Sequence, residues 1–149
     1  MKHRPIALIT SLLFLLSACS DKLNPNILIG AYTGYFYHTK PGENNSIKSQ
    51  GPVSLSFTAK EYNSSGFESR IPAGGSGEYR FENNNEVEFI DKHVWTADFD
   101  WNLVLNGRFL YEIKNDSLIL TRKFEICKTC SMKVGMMPGL YQYRMKRSN

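Results

Sequence analysis

Apolar and polar residues alternate through most of the chain beyond residue 27. Val53, Leu55 and Phe57 alternate with Ser54, Ser56 and Thr58, the period-2 habit of a strand with one buried face. Tyr79 and Phe81, then Val87 and Phe89, repeat the habit with charged residues between them. Asn83-Asn84-Asn85 separates those two segments as a hairpin loop. The longest stretch passes through Trp95, Ala97, Phe99, Trp101, Leu103 and Leu105, with Thr96, Asp98, Asp100 and Asn102 turned the other way, and predicts one long strand. Asn106-Gly107 follows directly and tolerates the positive φ of a type I′ hairpin turn, so Arg108 to Lys114 is the expected return strand.

Further along, Asn115-Asp116 supplies a second turn and Ser117 to Ile126 another strand. Leu140 to Arg147 is the last, with Tyr141, Tyr143 and Met145 on one face, and Tyr32 to His38 is an aromatic first strand. Gly74-Gly75-Ser76-Gly77 reads as a flexible connection between strands. It lacks the following Lys-Ser/Thr and the helix of a phosphate loop. Eight or nine short strands joined by tight turns predict an all-β fold, an eight- to nine-stranded antiparallel up-and-down barrel. Closure removes the exposed edges of an open sheet, and eight strands leave an interior just wide enough for side chains or one small ligand.

The front of the chain follows a different pattern. Lys2, His3 and Arg4 precede the apolar run Ile6 to Leu16, which falls short of the roughly 20 residues that span a bilayer. A basic start, a short apolar middle and small residues before a cleavage point mark a secretory signal peptide. Leu16-Ser17-Ala18-Cys19 resembles the lipobox of bacterial lipoproteins. That resemblance implies a diacylglyceryl group on Cys19, cleavage before it, and an added acyl chain such as palmitate on the new amino terminus. It divides the chain into a signal peptide (1–18), a lipidated tether (19–27) and a barrel domain (28–149). Two or three acyl chains hold a protein on a membrane where one is marginal. Ser20, not aspartate, follows the cysteine, which by the same resemblance implies the outer membrane and leaves the leaflet open.

Removing residues 1–18 from the 149 leaves 131, one domain by length. Lys2 and Arg4 leave with the signal, so sixteen basic residues face fourteen acidic ones, a net charge of +2. That balance, without a basic stripe interleaved with aromatics, gives no argument for nucleic acid. Arg144, Lys146 and Arg147 at the end of the last strand read as a solvated edge.

The run Trp95-Thr96-Ala97-Asp98-Phe99-Asp100-Trp101, its continuation to Asn106-Gly107, and the opening Gly30-Ala31-Tyr32-Thr33-Gly34 resemble small bacterial lipocalin-like lipoproteins. In that group a lipobox precedes a barrel of about this length, and the chain ends in a strand much like Tyr141 to Arg147. The resemblance implies a barrel able to bind a small apolar molecule. It implies no particular ligand and no catalytic residue.

Within such a barrel, Tyr32, Phe36, Trp95, Phe99 and Trp101 are the candidate lining of an apolar pocket. The simpler alternative is that these aromatics fill the interior and hold nothing. Cys127-Lys128-Thr129-Cys130 is the sharpest local feature, since Cys19 is taken by lipid and these are the remaining thiols. Three extended residues would set their Cα atoms about 10 Å apart, beyond the ~7 Å limit of a disulfide, so pairing requires a turn. A structural disulfide is favoured by the oxidising compartment. A redox pair lacks the helix of a thioredoxin-type site. A soft-metal site through Cys127, Cys130, Met132 and Met136, with Met137 nearby, has ligands that suit Cu(I).

Asp98 and Asp100 leave one face of a strand about 7 Å apart, yet solvating an outer face explains them better than catalysis. His38 and His93 come with no nucleophile elbow. The sequence therefore predicts a lipid-anchored envelope protein that is not an enzyme and has no resident cofactor. Its partners would be the membrane and a small apolar ligand. The alternative is a metal- or thiol-handling lipoprotein acting through Cys127 and Cys130. A protein partner stays unknown.

Overall fold

The computed structural model describes residues 27–40, 46–66, 70–83, 85–96, 98, 100–124 and 139–148. Eight strands run in chain order: β1 (Gly30–Thr39), β2 (Ile47–Phe57), β3 (Glu61–Ser64), β4 (Gly75–Asn83), β5 (Glu86–Asp91), β6 (Gly107–Lys114), β7 (Ser117–Arg122) and β8 (Tyr141–Arg147). Each pairs antiparallel with the next, and β8 returns to β1 from Tyr32↔Arg147 to His38↔Tyr141, so the sheet closes on itself. The fold is the expected antiparallel up-and-down barrel, with eight strands of the eight or nine expected.

Alternation decides what lies inside. Tyr32, Phe36, Val53, Leu55, Phe57, Val87, Phe89, Leu118, Leu120, Tyr143 and Met145 point inward and are almost fully buried. Their neighbours in sequence carry charge to the outside, where Arg80 bridges Glu88 at 2.5 Å and Glu82 at 2.9 Å, and Lys92 pairs with Glu78. Two glycines sit where strands crowd. A Cβ on Gly34 would meet the Arg144 carbonyl oxygen at 2.1 Å, and one on Gly77 would meet that of Ile90 at 2.0 Å. Glycine at such points lets neighbouring backbone approach where the barrel turns its corners.

Three local expectations are corrected. The described residues of 95–105 belong to none of the eight strands: they lie at one end of the barrel and include a short 3₁₀ turn, η1 (Trp101–Leu103). The reason is side-chain chemistry. Asp100 Oδ1 accepts the Asn102 amide at 3.0 Å, a local bond that competes with sheet pairing. Leu105 and Ala73 then exchange backbone hydrogen bonds with Gly74 and Leu103 at 2.9 and 3.0 Å. Asn106-Gly107 is accordingly no hairpin turn. Gly107, at φ +87°, opens β6 opposite Phe89 of β5. Gly75-Ser76-Gly77 is not a loose connection either but the start of β4, paired with Tyr62, Asn63 and Ser64.

Candidate functional site

Up-and-down topology sorts the connections by length. The turns at 58–60 and 115–116 lie at one end with Asn85, residues 27–29 and Ser148. The described residues that follow or precede the strands at 40, 46, 65–66, 70–74, 92–96, 100–106, 123–124 and 139–140 lie at the other. The first end is closed. Arg147 reaches across it with its guanidinium 4.9 Å above the Tyr32 ring. It donates to the Ile29 carbonyl at 2.5 Å and to Tyr32 Oη at 2.6 Å. Leu28 and Phe57 are buried beneath, with Phe57 edge-on to Tyr32 at 5.8 Å. Burial pushes the Tyr32 phenol up, and Arg147 partly opposes it.

The loop end differs in chemistry. The inward phase of β1 reaches His38, that of β7 reaches Arg122, and that of β8 begins with Tyr141 and Tyr143. A polar layer thus crosses one side of the barrel mouth. His38 stacks on Tyr141 with centroids 4.0 Å apart and planes at 20°. Tyr141 Oη donates to Asp100 Oδ2 at 2.8 Å, which fastens η1 over the mouth. Burial pushes the Asp100 carboxyl up, but hydrogen bonds from Tyr141 and from the Asn102 amide and side chain more than offset it. The carboxyl is held below its ordinary range. His38 is lowered by burial first and Lys48 second, against the pull of Asp100.

Arg122 is the unusual member. Its Nη2 donates to the Val104 carbonyl at 2.5 Å and its guanidinium lies 4.9 Å over the Phe109 ring. Among the described residues its Nε is buried with no hydrogen-bond partner, and so is the hydroxyl of Tyr143, a residue only 1% exposed. Burial lowers the Arg122 pKa and raises that of Tyr143. Buried polar atoms are nearly always paired, so two orphans flanking one phenylalanine single out this place. Sequence reasoning passed over both residues. The available signal was phase: Leu118, Leu120 and Arg122 share one face, so a cation stands in register with core residues.

Below this layer the interior is occupied. Phe36 lies 4.9 Å from Tyr143, Phe89 5.4 Å from Phe109, and Tyr62 4.9 Å from Phe89. Tyr62 Oη also closes on the Leu105 carbonyl at 2.5 Å. Tyr32 and Phe36 are therefore core residues. Trp95 is half-buried at the loop end and its Nε1 donates to Asp91 Oδ2. Trp101 is 54% exposed on η1, so neither tryptophan faces the barrel interior with Phe36. Phe99, Cys19, Cys127, Cys130, Met132 and Met136 lie outside the described residues.

One arrangement brings together residue types that sequence reasoning kept apart. Ser76 Oγ lies 3.1 Å from His93 Nδ1, and Asp91 Oδ1 lies 3.5 Å from the same nitrogen. A catalytic relay needs the serine and the carboxylate on opposite ring nitrogens, so these contacts make no such relay. Asp91 acts as a bracket, accepting the Ser76 amide at 2.8 Å and the Trp95 indole. Outside the barrel, a groove of about 620 Å³ crosses β2, β1, β8 and β7 where Gly34 thins the wall, between Tyr35, Pro52, Ile119, Arg144 and Lys146.

No protein-family model, curated protein or solved structure matches the chain. Its function is therefore read from its own residues.

Proposed function

We propose that this chain is a non-catalytic lipoprotein of the bacterial cell envelope, held by lipid on Cys19, whose barrel binds a small, mainly apolar molecule at its loop end. The division of the barrel into a closed end and a loop end carries this reading. Residues 27–29 enter at the closed end, so a lipid on Cys19 sets that end toward the membrane and the long connections away from it. The packed aromatic interior argues against a deep pocket, so on this reading the ligand would sit at the mouth, beside Tyr141, Phe124 and η1. Ser20 after the cysteine favours the outer membrane.

Two measurements test the proposal. Cells fed an alkyne-tagged palmitate should label the wild-type protein and leave Cys19→Ala unlabelled, and labelling of both would end the anchor. N-phenylnaphthylamine should brighten on titration with the processed protein and be displaced by a small apolar competitor. A flat titration would end the ligand-binding half.

A further inference from the structure

We propose that Arg122 and Tyr143 form a seat for a small carboxylate at the loop end of the barrel. The proposal rests on the apolar-ligand reading and adds that the ligand is acidic and enters head first.

The geometry begins with β-sheet phase. Arg122 follows Leu118 and Leu120 on the inward face of β7, and Tyr143 pairs with Leu120 across β8. The Arg122 guanidinium covers Phe109 at 4.9 Å, while the Tyr143 ring meets the same Phe109 at 6.0 Å. Two donors, Arg122 Nε and Tyr143 Oη, therefore flank one aromatic ring, both buried and both without a hydrogen-bond partner among the described residues. A buried donor without an acceptor costs about 1–3 kcal/mol, and a buried cation without a counter-charge costs more.

Asp100, whose charge acts on Arg122, does not neutralise it by direct contact. Asp100 spends Oδ2 on Tyr141 and Oδ1 on Asn102, and among the described residues the hydrogen bond of Arg122 goes to the neutral Val104 carbonyl. What the place lacks is a negative charge carrying two acceptor oxygens. A carboxylate would meet both needs: one oxygen would take Nε–H, the other the phenolic O–H, and both bonds would be charge-assisted. Phe36, Leu118 and Leu120 belong to the packed core, so the chain of a few carbons behind the head group would run outward toward Phe124 and Tyr141.

The test uses the processed protein in phosphatidylcholine nanodiscs, with empty nanodiscs as the blank. Saturation-transfer NMR reads binding of butyrate, and of 1-butanol as its uncharged counterpart. Butyrate should bind saturably, at least about tenfold more tightly than butanol, the span of one charge-assisted bond. Tyr143→Phe keeps the ring and should weaken butyrate about tenfold while melting no lower than wild type, because it deletes an orphaned hydroxyl. Arg122→Gln should abolish saturation. If that variant fails to fold, Tyr143→Phe decides alone.

Butanol binding as tightly as butyrate, or unchanged butyrate affinity in Tyr143→Phe, would overturn the seat. If N-phenylnaphthylamine binds and butyrate does not, the acidic-ligand inference falls while the apolar-ligand reading stands. If neither binds, both fall.

Discussion

Truncating Arg147 should open the closed end of the barrel. Three contacts go with the side chain: the face of Tyr32 at 4.9 Å, the Ile29 carbonyl at 2.5 Å and Tyr32 Oη at 2.6 Å. At an exposed site the ring contact is worth about 0.5–1 kcal/mol. Each short hydrogen bond adds about 0.5–1.5 kcal/mol, and the contact to Ile27 at 3.4 Å adds little. Arg147→Ala should therefore cost about 2–3 kcal/mol, which in a domain of this size lowers the melting temperature by about 10 °C. Lysine keeps the charge but not the planar fork, so Arg147→Lys should fall about midway. Urea and thermal unfolding of the processed protein, followed by near-ultraviolet circular dichroism, give both numbers. An alanine variant that melts within about 2 °C of wild type would refute the reasoning and make the end contacts mere surface decoration.

Other consequences are equally direct. Gly34→Ala sets a methyl 2.1 Å from the Arg144 carbonyl oxygen, and since backbone cannot yield cheaply it should cost about 3 kcal/mol in urea unfolding. Phe36→Ala removes a fully buried ring and should cost about 3–5 kcal/mol, whereas half-exposed Trp101→Ala should cost about 1 kcal/mol or less. Comparable losses would mean that Trp101 belongs to the core. His38 titrates below its ordinary value when folded, so the folded state binds fewer protons than the unfolded chain between the two pKa values. Its share of stability is complete above about pH 6.5 and drains as pH falls toward the folded value. His38→Gln, beside Tyr141, Asp100 and Lys48, should flatten that part of the stability profile, and an unchanged slope would assign it to other groups.

Much of the barrel was legible because a strand's period is two and a closed barrel gives its faces opposite solvents. Val53-Leu55-Phe57, Tyr79, Val87-Phe89 and Tyr141-Tyr143-Met145 all lie where alternation puts them. The same rule misled at 95–105, where the period was present but the Asp100 side chain bonded the Asn102 amide and Leu103 and Leu105 bonded Ala73 and Gly74. Gly75 to Gly77 misled in the opposite way. Their small size suggested looseness, while the close approach of Ile90 makes small size a condition of being in the sheet. Asn115, at φ +54° between β6 and β7, shows turn chemistry succeeding where it is purely local.

The candidate site divides along the same line. Phase alone placed Arg122 and His38 on the inward face, and that much was available in the residue order. That Arg122 would find a carbonyl instead of a carboxylate, and that Tyr143 would be left unpartnered beside it, depends on groups far apart in the chain. Sequence by itself determined the class of fold and most of the residues that face inward, because these follow from local periodicity and turn chemistry. Tertiary structure alone decided that the interior is filled, that Trp95 and Trp101 belong to the rim, and that two buried donors meet over Phe109. Those outcomes depend on barrel closure and on which side chains compete for one limited volume.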